Sequence, residues 1–429
     1  MRFFLARFKL QDKFKKIRVT PSWFRLGLFL IVLGPGIITG AVDNDIGGIA
    51  TYSSAGASYG YQLLWVVALA TIPLAVIQEM NARMGAVTGK GLAALIRENF
   101  GLRITMYSLI ALFLANFANI IAEFAGIAAG GEIFGISKFI SIPVAVILLT
   151  YFILKNSSHK IEKILLVFCL FYIAYIVTGF LAHPDWHSAL SGTIVPSLDL
   201  QDIGLVTMAI TVIGTTIAPW MQFYQQAAVA EKKIRIKDYR YEVWDTYAGA
   251  LITEVVAFFI VLATAATLYK NGIVIETAAD AARALVPLAG RFAGELFAFG
   301  LVSAGFMAAL VLPISTAFSI SEGFGWSAGL DRKFKDAKQF YTLLLASIVL
   351  GAGIILLPNL NLIKIMLFSQ TINGILLPVV LILMLVIVNK ESVMGTHTNT
   401  KAQNIITIAT ASGVILLTLS LIAFTFLGK

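Results

Sequence analysis

The chain has 429 residues, of which 59% are hydrophobic and 13% are charged, with a formal net charge of +9 and a mean hydropathy of +0.87. Soluble domains carry about 25% charged residues, so this composition excludes an ordinary soluble enzyme or binding module. It predicts an all-α polytopic protein of the cell membrane, either plasma or inner, with the lipid bilayer as its immediate environment.

Eleven apolar segments are long enough to cross a bilayer, whose hydrocarbon core of about 30 Å needs about 20 helical residues. They lie near residues 24–52, 61–85, 104–134, 141–154, 164–182, 202–230, 247–269, 293–323, 340–358, 361–388 and 403–427. The sequence therefore predicts eleven transmembrane helices, of which the fourth is the shortest.

The basic residues indicate how these helices are oriented, because short loops rich in Lys and Arg remain in the cytoplasm. Of the 32 basic residues, 26 fall in alternate loops that begin with the N-terminal arm. With an odd number of spans, this predicts a cytoplasmic N-terminus and an extracytoplasmic C-terminus. Residues 1–23 are expected to form a basic cytoplasmic arm and not a cleaved signal peptide. Membrane-flanking bases explain its charge better than nucleic-acid binding does.

The first segment is interrupted in its middle. Gly34-Pro35-Gly36 is followed by Asp43-Asn44-Asp45-Ile46-Gly47-Gly48. A carboxylate at this depth costs roughly 2.5 to 3.5 kcal/mol, and irregular backbone is tolerated there only in a cavity or buried in protein. The leading explanation is a cation site, and the alternative is a helix cap or turn that needs a small acceptor.

The sixth segment contains a second break. It reads Gly214-Thr215-Thr216-Ile217-Ala218-Pro219-Trp220-Met221-Gln222, in which Pro219 removes a backbone donor and frees carbonyl groups one turn earlier. Taken alone, Pro219 could be a kink that only shapes the bundle. Broken helices at corresponding positions of two inverted halves instead indicate a midplane site in a secondary transporter. The predicted organisation is a first five-helix repeat over 24–182, an inverted second repeat over 202–389, and an additional helix over 403–427.

Two further acids fall in the middle of predicted spans. Glu123 is interpreted either as a protonated carboxyl hydrogen-bonded between helices or as part of a proton or cation pathway. Glu254 is equally compatible with packing and with function. No Lys or Arg lies at comparable depth, which favours a positively charged ligand.

Several other chemistries are excluded. The single Cys169 allows neither a disulfide nor a thiolate metal cluster. No nucleophile, base and orienting group recur at usable spacings, and no nucleotide-binding loop is present, so the chain is not expected to be an enzyme or to need a cofactor. The four histidines all fall in or near loops, at His159, His183, His187 and His397.

Several short motifs accompany the breaks: Gly34-Pro35-Gly36, Ile49-Ala50-Thr51, Ala55-Gly56-Ala57, Tyr59-Gly60-Tyr61, Leu63-Leu64-Trp65, Ala82-Arg83-Met84-Gly85, Val87-Thr88-Gly89-Lys90, Ser369-Gln370 and Leu377-Pro378. With these motifs, the chain resembles the Nramp (natural resistance-associated macrophage protein) family of divalent metal transporters from about residue 25 to residue 395. It implies the LeuT-type fold, with ten helices in two inverted repeats and one further helix.

The departures from the family bear on the choice of metal. The family's Asp-Pro-Gly-Asn motif falls on Asp45-Ile46-Gly47-Gly48, and its Met-Pro-His motif falls on Ala218-Pro219-Trp220. An asparagine, a thioether and a histidine are therefore missing. A thioether is a soft ligand that favours transition metals, whereas carboxylate, carbonyl, amide and water suit Mg²⁺, Ca²⁺ or Mn²⁺. We predict a hard-cation site, widened by its small residues so that Mg²⁺ could keep much of its water.

The same departures from the family bear on whether transport is coupled to protons. Family members carry several acids on the third helix, where this chain has Asn116, Glu123 and Gly126, and Trp220 replaces the family's histidine. Since His and Asp/Glu chains relay protons in transporters, we do not expect obligatory proton symport. This pattern most resembles the Nramp-related magnesium transporter branch.

A set of ligands follows from the breaks and the resemblance. Asp45 would supply the charge and the two breaks would supply carbonyl groups. Gln222 lies one turn beyond Ala218 on the same face, and Gln370 resembles a family metal contact. The predicted metal site is Asp45, Val42, Thr215, Ala218, Gln222 and Gln370. A vestibule or proton path is predicted at Asp43, Asn44, Glu123 and Asn373, the last also interpretable as an interhelical contact. The helix breaks are assigned to Gly47, Gly48 and Pro219.

The predicted function is movement of Mg²⁺ or Mn²⁺ across the membrane by alternating access, without obligatory proton coupling. The metal would be the substrate, and no nucleic acid or obligate protein partner is expected. One alternative is a proton-coupled Mn²⁺/Fe²⁺ importer of the ordinary Nramp type. Another is a sodium-coupled carrier of an organic solute that stacks on Trp220. An ion channel is less favoured because no selectivity-filter repeat is present.

Overall fold

The computed structural model describes residues 35–155, 161, 165, 172–236, 239–273, 275 and 293–427. Every regular element in these ranges is a helix. The α-helices are α1 (Pro35–Asp43), α2 (Ile46–Tyr59), α3 (Leu64–Thr88), α4 (Leu92–Ile133), α5 (Lys138–Lys155), α6 (Ile173–Leu181), α7 (Trp186–Ile194), α8 (Ile203–Thr216), α9 (Pro219–Glu231), α10 (Tyr239–Thr267), α11 (Ala293–Phe324), α12 (Lys338–Ile355), α13 (Leu362–Val388), α14 (Glu391–Met394) and α15 (Lys401–Leu427).

Within the described ranges, nine helical segments are long and apolar enough to cross a membrane. The other two predicted spans, near 24–52 and 164–182, are described only in part, as α1 with α2 and as α6. The N-terminal arm at 1–23, Cys169 and His159 lie outside the described residues. The all-α polytopic class predicted from composition is confirmed.

Two helices begin earlier than hydropathy predicted, α4 at Leu92 instead of 104 and α10 at Tyr239 instead of 247. Gly101 in α4 has φ 76° and ψ 175°, so a short polar helix precedes the apolar span. The first turns of α10 contain Glu242 and Asp245, which lower the local hydropathy although both are fully buried. Exposed charges at Arg97 and Glu98 concealed the start of α4, and the buried Glu242 and Asp245 concealed the start of α10.

The broken helices lie at the centre of the bundle. The first pair, α1 and α2, packs against α10, and α2 also contacts α8 and α13, while α4 packs along α11 and α13. In contrast, only 22% of α5 and 17% of the apolar part of α15 are buried within the protein, which is expected of lipid-facing helices. The two breaks are thereby enclosed by the other helices.

The first half-helix, α1, is pressed against α10 at a glycine contact. A Cβ atom on Gly249 would overlap the carbonyl oxygen of Gly36. The Gly36 amide donates to Asp245 Oδ2 at 2.7 Å, and the Thr253 hydroxyl donates to the carbonyl oxygen of Gly40. Close packing of this kind fixes the position at which α1 ends, next to the candidate site.

We predict that Gly249→Ala lowers stability, because the added methyl group meets backbone that cannot move aside cheaply; overpacking of this kind costs about 1 to 3 kcal/mol. Gly413→Ala is the matched control, since a Cβ atom there has no neighbour within 4 Å. The measurement is the thermal unfolding midpoint of the purified protein in detergent. Equal midpoints for the two variants would contradict the packing described here.

Candidate metal site at the two helix breaks

The first break lies between α1, which ends at Asp43, and α2, which begins at Ile46. Asp45 caps α2, with an extended backbone (φ −65°, ψ −178°) and a side chain whose Oδ1 accepts a hydrogen bond from the Gly48 amide at 2.6 Å. An N-terminal helix end stabilises a negative charge at this position. The break thus places a carboxylate, 2% exposed, at the start of α2.

Glu123 on α4 faces the same helix end. The Ile46 amide donates to Glu123 Oε2 at 3.3 Å, whereas in a continuous helix it would donate to the Val42 carbonyl. The carboxyl groups of Glu123 and Asp45 interact electrostatically across this helix end. Two buried acids therefore meet at the N-terminus of α2.

The second break separates α8, which ends at Thr216, from α9, which begins at Pro219. Because proline has no amide hydrogen, the Thr215 carbonyl lacks the donor that a continuous helix would provide. The Ala218 carbonyl accepts from the Met221 amide at 3.1 Å. The break therefore presents the C-terminal end of α8 toward the bundle interior.

Oxygen atoms from the two breaks converge at Gly48. A Cβ atom on Gly48 would lie 2.8 Å from the Asp43 carbonyl oxygen, 3.2 Å from Thr215 Oγ1 and 3.4 Å from Asp45 Oδ1. The Thr215 hydroxyl is buried and has no hydrogen-bond partner within the described residues. This set of oxygen donors is the kind that hard cations prefer.

The expected widening of the cavity at Gly48 is not seen in this conformation. The Asp43 carbonyl and the Thr215 hydroxyl occupy the space that a larger side chain at this position would need. Ala218, the other small residue, is 2% exposed. At Gly48, the Asp43 carbonyl and the Thr215 hydroxyl therefore occupy the volume that the family's asparagine side chain would fill.

Gln370 on α13 also reaches Asp45. Its Nε2 lies 3.5 Å from Asp45 Oδ1, and its Oε1 accepts from Asn373 at 2.7 Å. Asn373 and Asn119 exchange two hydrogen bonds at 3.1 and 3.2 Å, which link α13 to α4. A Cβ atom on Gly47 would overlap the Gln370 amide, so glycine is required for this approach. Asn373 thus forms an interhelical contact that orients Gln370.

Gln222 lies on the Ala218 face of α9, but its polar atoms are engaged elsewhere. Its Nε2 donates to the Ala218 carbonyl at 3.3 Å, and its Oε1 accepts from Asn81 on α3. In this conformation, Gln222 links α9 to α3.

Asp43 and Glu254 are also buried, at 2% and 3% exposure. Asp43 therefore lies in a closed interior in this conformation and not in an open vestibule. No group of three or more His, Cys, Asp or Glu residues in the described ranges is arranged to hold a metal ion. A metal at Asp45 would consequently need carbonyl, hydroxyl or amide oxygens besides carboxylates.

Two of the residues that depart from the family pattern, Ile46 and Gly126, contact each other. A Cβ atom on Gly126 or on Gly305 would overlap Cδ1 of Ile46. An acidic side chain at position 126 is therefore incompatible with Ile46 as it is placed. Asn116 donates to Thr316 Oγ1 at 2.8 Å, and Trp220 is 1% exposed. The described histidines are all exposed, at His183, His187 and His397.

Sequence reasoning missed three contributors to this site. These are the side-chain hydroxyl of Thr215, the backbone carbonyl of Asp43 and the amide of Asn119. Asn119 could have been found, because it precedes Glu123 by one helical turn and shares its face. The other two depend on how the two breaks approach each other in space.

The family model for natural resistance-associated macrophage protein-like (Nramp) proteins matches residues 36–424. The divalent metal cation transporter MntH of Caldanaerobacter subterraneus subsp. tengcongensis is 26% identical over 419 residues, which cover 94% of each chain. MntH of Bacillus subtilis strain 168 is 27% identical over 405 residues, covering 92% of each chain.

Solved structures show the same architecture. The manganese transporter of Eremococcus coleocola matches with a TM-score of 0.74 at 20% identity, covering 96% of this chain and 90% of that one. MhsT in complex with L-phenylalanine matches with a TM-score of 0.58 at 15% identity, covering 90% of this chain and 98% of that one. The predicted LeuT-type fold is confirmed. By its match over most of its length, this chain belongs to the Nramp family and is a multi-pass membrane transporter, not an enzyme.

Proposed function

We propose that this chain moves hard divalent cations, Mg²⁺ and Mn²⁺, across the cell membrane by alternating access. The observation that carries this proposal is the convergence of oxygen atoms from Asp43, Asp45 and Thr215 at the two helix breaks. Similarity to relatives named divalent metal cation transporters supports the general activity. The metal is the transported substrate and not a resident cofactor.

The donor set supports the choice of hard ions. Asp45 offers a carboxylate, Thr215 a hydroxyl and Asp43 a carbonyl, while Ala218 stands where the family carries a thioether. Oxygen donors suit Mg²⁺, Ca²⁺ and Mn²⁺, and a thioether would favour softer transition metals. The same reasoning supports the resemblance to the magnesium transporter branch. Val42, Ala218, Gln222 and Gln370 remain proposed contributors through their carbonyl or amide groups.

The helix ends create an electrostatic field that favours a cation at the site. The C-terminal ends of α1 and α8 carry partial negative charge from their open carbonyl groups, and both face the region of Asp45. A cation between these ends would interact favourably with both half-helices, as in other transporters with broken helices. The N-terminus of α2 stabilises the Asp45 carboxylate in the absence of the ion.

Transport without obligatory proton symport is supported by the surroundings of Glu123. Its carboxyl group is engaged with the Ile46 amide and with Asp45. Ile46 fills the position at Gly126 where family members carry an acid, and the described histidines are remote from the site at the protein surface. No described histidine joins the buried acids near Asp45, so the histidine part of a proton relay is not built there in the described residues.

We predict that proteoliposomes containing this protein take up both Mg²⁺ and Mn²⁺ without acidification of the lumen. Asp45→Ala should lower both uptake rates by at least about 10- to 100-fold, the loss that even indirect partners of metal ligands produce. The measurement follows both ions and internal pH in the same vesicles. Glu132→Gln is the control, because Glu132 is an exposed carboxylate on α4.

Each alternative gives a different result in this assay. Mn²⁺ uptake with lumenal acidification and no Mg²⁺ signal would support the proton-coupled importer instead. Absence of both metal fluxes, or uptake that Asp45→Ala leaves unchanged, would contradict the proposed site. A sodium current induced by an organic solute would support a carrier for such solutes.

We further predict that Ala218→Met shifts the selectivity toward Mn²⁺, because it restores a soft ligand at the second break. The ratio of Mn²⁺ to Mg²⁺ uptake should rise about tenfold, which corresponds to about 1.4 kcal/mol. Ala218→Leu is the matched control, since leucine has nearly the volume of methionine but no sulfur. An equal shift in both variants would attribute the selectivity to cavity shape and not to ligand softness.

We propose a cytoplasmic N-terminus and an extracytoplasmic C-terminus, on the basis of the Lys and Arg distribution. In a Cys169→Ser background, Lys364→Cys should react with a membrane-impermeant maleimide applied to intact cells, whereas Lys335→Cys should react only after lysis. Both side chains are exposed, so accessibility of the residue itself does not limit the reaction. The reverse pattern would invert the topology.

A further inference from the structure

The side-chain carboxyl groups of Asp43 and Glu254 are buried and have no hydrogen-bond partner in the described ranges. Asp43 ends α1, Glu254 lies on α10, and all four of their carboxyl oxygens lack a hydrogen bond within the described residues. The groups that interact electrostatically with Asp43 are Glu254 and Asp45, which carry the same sign of charge. Buried carboxylates in this state are costly unless they take up protons or a cation joins them.

Asn44 adds a further unpaired acceptor beside these acids. Its Nδ2 donates to the carbonyl of Thr253, the residue before Glu254, at 3.1 Å, which holds the amide against α10. Its Oδ1 is buried and has no partner in the described part of the chain. Because the backbone carbonyl of Asn44 accepts from the Tyr172 hydroxyl at 2.9 Å, this residue is fixed from two sides. Five buried oxygen acceptors of Asp43, Asn44 and Glu254 thus have no donor within the described residues.

In the described part of the chain, no basic side chain pairs with Asp43 or Glu254. The ion pairs of Arg83 with Glu79 and of Lys90 with Glu98 involve other acids. The C-terminal end of α1 adds the partial negative charge of its carbonyl groups. Two carboxylates, an amide oxygen and a helix C-terminus together favour a divalent ion over a monovalent one, because its charge balances both acids.

A separate small cavity lies farther along α1, toward the N-terminal end of this half-helix. This cavity of about 10 Å³ is lined by Gly36, Gly40, Gln78 and Thr246, with the apolar residues Leu74, Met221 and Ala250. Neither polar atom of the Gln78 side chain has a partner in the described ranges. A cavity of this size accommodates one water molecule. Along α1, Asp43 therefore lies between Asp45 and a cavity lined in part by polar groups.

We propose that Asp43, Asn44 and Glu254 form a second site for a hard divalent cation, next to the Asp45 site. Asp43 links the two sites, since its carbonyl faces Gly48 while its carboxylate interacts with Glu254. An ion that leaves Asp45 would reach the second site at the C-terminal end of α1. The polar groups farther along α1 would come after it. The proposal depends on the proposed function only for the choice of Mn²⁺ as the probe.

The test is the number of Mn²⁺ ions bound per purified chain, titrated by the electron paramagnetic resonance signal of free Mn²⁺. Wild type and the control Glu132→Gln should bind two ions. Glu254→Gln and Asp43→Asn, which keep the side-chain shape and the Asp43 carbonyl, should each bind one. Asp45→Asn should also bind one, because it leaves the second site intact. Unfolding midpoints without metal establish that each variant is folded, and two independent variants of the second site guard against the failure of one.

The outcomes separate the second site from the transport site. A single ion in wild type, lost in Asp45→Asn and retained in Glu254→Gln, would overturn the second site and leave the proposed function standing. A single ion with the opposite pattern would support the second site and contradict the Asp45 site. Two ions in both Glu254→Gln and Asp43→Asn would also overturn the proposal, and no bound ion in wild type would overturn both sites.

Discussion

The remainder of the structure depends on the two helix ends that meet at Asp45. The C-terminus of α1 and the N-terminus of α2 face each other across two residues, and the carboxylate between them caps α2 through the Gly48 amide. In a low-dielectric interior, this charge needs compensation from both the helix end and a cation. The second break brings the Thr215 hydroxyl to the same place, so oxygen donors gather where the first half-helix is interrupted.

Packing around the break accounts for substitutions that look independent in the sequence. Ile46 replaces the family's proline, and its side chain occupies the space beside Gly126 and Gly305. An acid at position 126 would need that same space, so loss of the acid and gain of Ile46 belong together. Gly47 similarly admits the Gln370 amide, which Asn373 and Asn119 hold in place. In this chain, the side chains around Asp45 therefore pack closely against one another.

The breaks, the all-α class and most spans were predictable, because glycine, proline and buried acids leave a local signal in an apolar segment. Other features depend on contacts between distant parts of the chain. Asn44 meets the backbone 209 residues away and Asn119 meets a partner 254 residues away, distances over which hydropathy carries no information. The start of α10 was missed for a related reason, since Glu242 and Asp245 look exposed in sequence and are buried against other helices. The pairing of Asp43 with Glu254 likewise required the packed structure.

The central claim is that a hard divalent ion binds at the meeting point of the two breaks. The most direct measurement is anomalous X-ray scattering from crystals of the protein grown with Mn²⁺. The account predicts a manganese peak with oxygen atoms of Asp45 and of the second break at about 2.0 to 2.6 Å, the range for hard-cation coordination by oxygen. Absence of a peak at Asp45 in crystals that bind Mn²⁺ elsewhere on the chain would contradict it.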